Sequence, residues 1–241
     1  MSAASDKYER DVAAYMNQLP GVKAVRPTVG TDYPDVLVEY KKKRSYVEVK
    51  MSHTDNLSNP RMFYSNGKWQ TTYETPAAKY AVDILNKSAD TKEFLKKLSK
   101  FTGIPLSEIK IPTTKSGLKE PGAVPLKIMK AYFDQPGVNR YIANKENMDL
   151  GKVVTEHYTE GKAEPANYMQ AGDDFYRVGR ADPFKLGSNV PELKGRGDFK
   201  VRIGTRSEFY EVQAEIKIKQ MPNSPYSCKP GTIKKNPFPA K

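Results

Sequence analysis

The stretch that decides the fold of the N-terminal part of the chain is PDVLVEYKKKRSYVEVKM, residues 34–51. Apolar and polar residues alternate on both sides of the basic run at residues 41–44, which is typical of two half-buried strands joined by a turn. With a four-residue turn at 41–44, the pattern predicts a hairpin of residues 36–40 and 46–51, in which the numbers of opposed positions sum to 85. Asp35 then lies opposite Lys50.

Three charged residues of this hairpin share one face. Side chains alternate between the faces of a strand, and directly opposed residues share a face. Asp35, Glu48 and Lys50 therefore project from one side, while the intervening valines point into a core. Two carboxylates at such a site favour Mg²⁺, which is usually held by one or two carboxylates together with waters and phosphate oxygens.

The carbonyl of Val49 is a further candidate ligand of the metal. Lys50 could position or activate a water molecule and stabilise charge that develops on a phosphate. Asp35, Glu48 and Lys50 are thus typical of metal-assisted hydrolysis of a phosphodiester bond.

Pro34-Asp35, followed after twelve residues by Glu48-Val49-Lys50, resembles the PD-(D/E)xK motif of the restriction-endonuclease-like nucleases, which include restriction enzymes, some homing endonucleases, resolvases and phage exonucleases. The resemblance covers about residues 5–52 and implies a mixed sheet flanked by helices. It also implies that the helix before the motif strands often contributes another acidic residue. Apolar periodicity predicts a helix at residues 5–19, and Glu9 is the corresponding candidate. A capping box with Asp6 would explain Glu9 without catalysis.

A second set of residues repeats the same spacing near the C-terminus. The set consists of Asp198, Glu211, Gln213, Glu215 and Lys217. With a four-residue turn at 204–207, Asp198 would face Gln213 in a hairpin. The set is either an alternative active site or part of a polar hairpin that faces DNA. We favour the first set because it has the Pro-Asp pair, the lysine and an upstream helical acid.

The chain is strongly basic, with 40 Lys+Arg against 28 Asp+Glu among 241 residues and a formal net charge of +12. This surplus favours a polyanionic partner, but charge alone does not distinguish DNA, RNA and an acidic membrane. No apolar run approaches the roughly 18 to 20 residues needed to cross a bilayer, so no membrane partner is expected.

The lone Cys228 and the polar N-terminus predict a reducing, intracellular location in the cytoplasm, which is that of the host cell for a phage-encoded protein. His53 and His157, the only histidines, are too few and too far apart for a zinc site.

The predicted architecture is an α/β fold with a mixed β-sheet core and a mainly helical central insertion. Residues 1–75 form the N-terminal part of the core with the metal site, and residues 76–165 the insertion, with helices at 77–85, 91–101 and 126–133. Residues 166–219 supply further strands of the sheet and a hairpin that contacts DNA. Residues 220–241 are a Pro- and Lys-rich basic tail that cannot bury a core of its own and is expected to be an extended arm.

The leading expectation is a Mg²⁺-dependent endonuclease that cuts double-stranded DNA at specific sites, as homing or restriction enzymes do, with Mn²⁺ expected to substitute. Candidate DNA contacts are Asn56, Arg61, Lys68, Gln70, Lys200 and Arg202. A homodimer would supply the two active sites that a double-strand cut needs, whereas a monomer would nick. The alternatives are a catalytically silent DNA-binding module and a nuclease specific for junctions or RNA.

Overall fold

The computed structural model describes residues 3–27, 34–52, 56–160 and 164–239, and the chain divides into two units. Unit 1 consists of Met1–Asp55, Asp149–Arg196 and Ile218–Lys241, and unit 2 of Asn56–Met148 and Gly197–Lys217. The described residues combine five helices with strands in two sheets, so the broad α/β class is confirmed. Across the described ranges, no helix is both long enough and apolar enough to cross a bilayer.

In chain order the elements are α1 (Ala3–Met16), β1 (Val22–Val25), β2 (Val36–Tyr40), β3 (Lys43–Lys50), β4 (Asn56–Ser58), β5 (Arg61–Ser65), β6 (Lys68–Gln70), α2 (Pro76–Lys87), α3 (Ala89–Thr102), α4 (Leu126–Phe133), β7 (Tyr141–Asp149), α5 (Gly151–Thr159), β8 (Ala166–Ala171), β9 (Asp174–Arg177), β10 (Arg196–Thr205) and β11 (Tyr210–Gln220). A short 3₁₀ turn at Gly117–Lys119 lies between α3 and α4. The three predicted helices of the middle segment are therefore confirmed.

The sheet of unit 1 is mixed, with strand order β1-β2-β3-β8-β9. Strand β3 pairs with β8 in parallel, and the other neighbours pair antiparallel. Helix α1 buries Val12 and Met16 against the valines of β2 and β3, which forms the core of this unit. The alternation of valine with polar residues in β2 and β3 is thus explained by one face packed under α1.

The turn between β2 and β3 is tighter than expected. It consists of Lys41 and Lys42 alone, both with positive φ (49° and 60°), and Tyr40 pairs with Lys43. Opposed positions therefore sum to 83, not 85. The register error is two residues, and because side chains repeat every two residues along a strand, the predicted faces are unchanged. The missed turn lacks the Asn-Gly pair that usually marks a two-residue hairpin loop.

The C-terminal segment is not an extended arm within the described residues. Cys228 and Phe238 are fully buried in the core of unit 1. The ring of Phe238 contacts those of Tyr40 and Phe175 at centroid distances of 5.2 and 5.9 Å, and Gln170 of β8 accepts a hydrogen bond from the N–H of Cys228 at 2.7 Å. The segment has no core of its own, as predicted, but two apolar anchors dock it on the sheet.

Unit 2 combines the middle helices with a second sheet, in the order β6-β5-β11-β10-β7, with β4 also paired to β11. Thr75 caps α2 by accepting a hydrogen bond from the N–H of Ala78 at 3.3 Å, and Pro76 occupies the first helical position. The predicted segment 166–219 is therefore divided: β8 and β9 extend the first sheet, whereas β10 and β11 belong largely to the second. Helix α5 likewise belongs to unit 1 and not to a helical insertion.

Candidate active site

Asp35 lies immediately before β2, at the point where β3 runs on beyond its partner strand. Its Oδ2 accepts a hydrogen bond from the N–H of Val49 at 2.7 Å. The N–H and C=O of one strand residue point to the same side, so the carbonyl of Val49 also points toward Asp35. The carbonyl of Lys50 points the other way and accepts from the N–H of Gly172 at 2.9 Å. The predicted proximity of Asp35 and Val49 is therefore present in the structure.

Glu48 and Lys50 form an ion pair on β3, with Lys50 Nζ donating to Glu48 Oε1 at 2.6 Å. Their side chains are only 12% and 23% exposed. The ring of Tyr158, a buried residue of α5, lies 5.9 Å from Lys50 Nζ, which is within the range of a cation–π contact. The ammonium group is thus held between a carboxylate and an aromatic ring.

Burial and the acidic groups of the site raise the pKa of Asp35. Burial is the largest cause, and the negative charges of Glu48 and Glu9 add to it. The N–H of Val49 and the ammonium of Lys50 act in the opposite direction, yet the pKa of Asp35 still rises to about 7. The ionised site is therefore short of positive charge, and a bound cation would relieve that deficit.

Lys50 remains a cation. Burial lowers the pKa of Lys50, but the neighbouring oxygens of Tyr158, Glu48 and Asp35 outweigh burial and raise it well above its usual value. A lysine in this state donates hydrogen bonds and does not accept protons. Of the roles expected for Lys50, water positioning and charge stabilisation fit this geometry better than removal of a proton from water.

Glu9 lies on α1 and is 3% exposed. It accepts hydrogen bonds from Ser5 Oγ at 3.1 Å and from Arg26 Nε at 2.9 Å. Because α1 begins at Ala3, Asp6 lies inside the helix, and the capping-box explanation of Glu9 is wrong. Glu9 is near enough to influence Asp35, while Arg26 balances its charge.

The oxygen donors of this site, two carboxylates and one backbone carbonyl, are of the kind that Mg²⁺ uses and are too few for a metal that is held by side chains alone. In the described part of the chain, no group of three or more His, Cys, Asp or Glu side chains is placed to hold a metal ion. Mg²⁺ does not need such a group, because it commonly takes one or two carboxylates and fills its other positions with waters and phosphate oxygens. Asp35, Glu48 and the Val49 carbonyl match that pattern. His157 packs edge-on against Tyr158, and His53 lies outside the described residues.

The alternative set on β10 and β11 is arranged differently from the prediction. The N–H of Arg206 donates to the carbonyl of Phe209 at 2.7 Å, so the turn is centred on residues 207 and 208 and not on 204–207. Glu211 binds Arg206 through one carboxylate oxygen at 2.6 Å and Arg61 through the other at 3.2 Å. Its negative charge is therefore matched within the protein.

The other members of the alternative set have separate surroundings. Asp198 is buried, accepts a hydrogen bond from the N–H of Asn147 at 3.4 Å and has Lys200 Nζ 4.0 Å away. Gln213 pairs in register with Arg61, and Lys217 with Asn56. Glu215 is half-buried on β11.

The candidate DNA contacts all lie in unit 2. Arg61 is bound to Glu211, and the side-chain amide of Gln70 donates to the carbonyl of Ser65 at 2.9 Å, so both are already engaged. Asn56 is half-buried on β4, and Lys68 is exposed on β6. Lys200 and Arg202 alternate with buried residues of β10 and lie on its solvent face.

Two residues of the site were not found from the sequence. Tyr158 follows Lys50 by more than 100 residues and has no motif around it. Arg26 follows β1 and gives no local signal that its partners are Glu9 and Asp6. Comparisons of the chain with family models, curated proteins and solved structures find no match.

Proposed function

We propose that the chain is a Mg²⁺-dependent DNA endonuclease with a restriction-endonuclease-like core in unit 1. The observation that carries this proposal is the meeting of Asp35, Glu48, Val49 and Lys50 at the start of β2, where β3 runs on beyond it. The mixed sheet of unit 1, its flanking helices and the buried acid on α1 also match what the PD-(D/E)xK resemblance implies.

Asp35, Glu48 and the carbonyl of Val49 would hold the metal. Bound there, Mg²⁺ would polarise the scissile phosphate and lower the pKa of a coordinated water. Lys50 would donate hydrogen bonds to the attacking water or to a phosphate oxygen, and its positive charge would stabilise charge that develops on the phosphate. Tyr158 would keep the ammonium over the site.

The substrate is double-stranded DNA cut at specific sites, and Mn²⁺ is expected to replace Mg²⁺. The net charge of +12 supports a polyanionic substrate. A homodimer would bring two sites to the two strands.

A second candidate function is a DNA-binding module without catalytic activity. The Glu48–Lys50 ion pair favours it, because the metal would have to compete with Lys50 for the Glu48 carboxylate. The raised pKa of Asp35 favours the nuclease, since DNA binding does not require a carboxylate whose negative charge is not matched by nearby positive charge.

The deciding experiment is cleavage of a supercoiled plasmid in Mg²⁺, in Mn²⁺ and in EDTA. Asp35→Asn and Lys50→Ala are expected to reduce the cleavage rate at least about a hundredfold, the usual effect of losing one group that stabilises the transition state. Glu39→Gln is the matched control, because Glu39 is a partly exposed carboxylate on β2 that pairs with Arg44. Full activity in both site variants would refute the assignment. Branched DNA and RNA substrates in parallel would identify a nuclease of a different specificity.

A further inference from the structure

Unit 2 has a groove lined by arginines on the solvent face of its sheet. Buried residues of β10 alternate with Lys200, Arg202 and Gly204, so these three positions face away from the core. Two cavities of about 590 and 200 Å³ share Arg140 and Arg202 as lining residues. We call this the arginine groove and define it by Arg140, Tyr141, Arg202, Thr205, Arg206 and Gln213.

The groove carries a net positive charge. Arg206 shares the carboxylate of Glu211 with Arg61, so two cations are matched by one anion. Arg202 is exposed and has no carboxylate partner among the described residues. Within the part of the chain that the structure describes, the carboxylate partner of Arg140 is Asp134, at 3.8 Å and 71% exposed, and an ion pair of this kind contributes little. The groove thus has capacity for an anion.

Two of the guanidinium groups are held in place before any ligand binds. Arg140 lies 5.3 Å from the ring centroid of Phe133 and points Nη1 at Thr205 Oγ1, 3.4 Å away. Arg206 is fixed by two contacts to Glu211, at 2.6 and 2.7 Å. Arginines fixed in this way lose less conformational entropy on binding and can bind phosphate oxygens in a bidentate manner.

The groove suits a phosphodiester chain better than an apolar or cationic ligand. Its lining offers guanidinium, amide and hydroxyl donors together with one carboxylate, that of Glu211, which two arginines bind. Tyr141, 40% exposed, supplies an aromatic ring beside Arg140 and Arg202. Nucleic-acid-binding surfaces combine fixed cations for the backbone with aromatic rings for bases or sugars in the same way.

We infer that the arginine groove binds the phosphate backbone of the nucleic-acid substrate, so that unit 2 contributes binding while unit 1 carries the catalytic residues. The inference rests on the proposed function for the identity of the substrate. In this role the groove fixes the position of the chain on the nucleic acid through contacts to the backbone, and such contacts carry no sequence information directly.

The test is a binding titration of the full chain in EDTA, where cleavage does not interfere. A fluorescein-labelled 30-base-pair duplex is followed by anisotropy at NaCl concentrations from 50 to 400 mM. Arg202→Gln removes one phosphate contact, so the slope of log K against log salt is expected to fall by about 0.9, which corresponds to about eightfold weaker binding at 0.1 M salt. The double variant Arg140→Gln/Arg202→Gln is expected to lose about 60-fold under the same relation.

Lys96→Gln is the matched control, because it removes the same charge from an exposed position of α3 that does not line the groove. Lys96→Gln is expected to leave the salt slope unchanged. Arg202→Lys, which keeps the positive charge, is expected to have the wild-type slope that Arg202→Gln loses. Arg202 makes no ion pair within the described residues, so its substitution should leave the thermal unfolding midpoint unchanged. Wild-type affinity and slope in both groove variants would overturn the inference.

The outcomes also separate this inference from the nuclease proposal. If the wild-type chain cuts no plasmid but the groove variants lose DNA affinity, the groove inference stands and the nuclease proposal fails. If cleavage depends on Asp35 while the groove variants bind normally, the reverse holds. Titrations with single-stranded DNA and RNA of the same sequence identify which nucleic acid the groove binds. Tighter binding to either one, with the same loss of affinity in Arg202→Gln, supports the groove as a phosphate-backbone site and makes that nucleic acid its ligand.

Discussion

Replacing Asp35 by Asn should stabilise the protein when no metal is bound. Burial and the neighbouring Glu48 raise the pKa of Asp35 from 3.8 to about 7, so the folded state holds this proton more tightly than the unfolded chain does. A group of this kind destabilises the fold as the pH rises through the interval between the two pKa values. The metal-free protein should therefore lose stability between about pH 4 and pH 7. The Asn variant lacks this loss and keeps an oxygen that can accept the hydrogen bond from Val49.

The size of the effect follows from the shift. Each pKa unit corresponds to about 1.4 kcal/mol, so a shift of about three units sets a ceiling of about 4 kcal/mol at pH 8. Relaxation of the charged site lowers the expected gain to about 1–3 kcal/mol, or roughly 2–10 °C in Tm for a chain of this size. Mg²⁺ should affect the two proteins differently: at ten times the wild-type Kd it is expected to stabilise the wild-type fold by about 1.4 kcal/mol and to leave the stability of Asp35→Asn unchanged.

The assay is thermal unfolding in EDTA and in Mg²⁺ at pH 5, 6, 7 and 8. Glu48→Gln is the informative comparison, because it removes the carboxylate that binds the half-buried Lys50 and should destabilise the fold, although it too removes a proposed metal ligand. A lower Tm for Asp35→Asn than for wild type at pH 8 in EDTA would refute the reasoning. So would an equal response of the two proteins to Mg²⁺.

Three further predictions test other parts of the structure. Lys50→Met should abolish cleavage and, because it releases the Glu48 carboxylate, should tighten Mg²⁺ binding. The expected gain is about 10- to 100-fold, since the competing charged hydrogen bond is worth about 1.5–3 kcal/mol. Weaker Mg²⁺ binding by calorimetry would contradict this. Cys228 should react with a thiol reagent only after unfolding, because burial raises the pKa of its thiol and hides it in the core; rapid labelling of the native protein would show that the C-terminal segment is undocked. Glu211→Gln should retain plasmid cleavage, because two arginines already match the charge of the Glu211 carboxylate and leave it a poor metal ligand. Loss of cleavage with normal DNA binding would move the proposed active site to the alternative set.

The sequence predicted which residues of the β2–β3 hairpin share a face but not the register of the two strands. Alternation of valine with charged residues depends on a period of two, and the error at the turn was also two residues, so Asp35, Glu48 and Lys50 still share a side. The turn was misjudged because lysine rarely adopts positive φ and nothing in the basic run marks the two positions that do. Local patterns therefore placed the motif without fixing the loop beside it.

Contacts between distant segments could not be predicted in the same way. The tail reads as polar and Pro-rich, and the burial of Phe238 depends on a gap among Tyr40, Phe175 and Phe184 that only the folded sheet creates. Tyr158 reaches Lys50 because α5 packs against the sheet through β8, and no spacing in the chain records that. The helix and hairpin signals are local, whereas the balance of charge at the site depends on tertiary structure.

That balance bears on the choice between a nuclease and a silent binding module. In a protein that only holds DNA by its positive surface, Asn at position 35 would improve both stability and DNA affinity. It would avoid the burial of an ionised carboxylate and would remove a charge that repels phosphate. The site instead places the half-buried Asp35 near Glu48 and Glu9, and the positive charge of Lys50 does not bring the pKa of Asp35 back to its usual value. Residues that cost stability in this way are typical of sites that bind a ligand or catalyse a reaction. A bound cation would relieve this excess of negative charge, and the proposed metal-assisted hydrolysis of a phosphodiester would supply one.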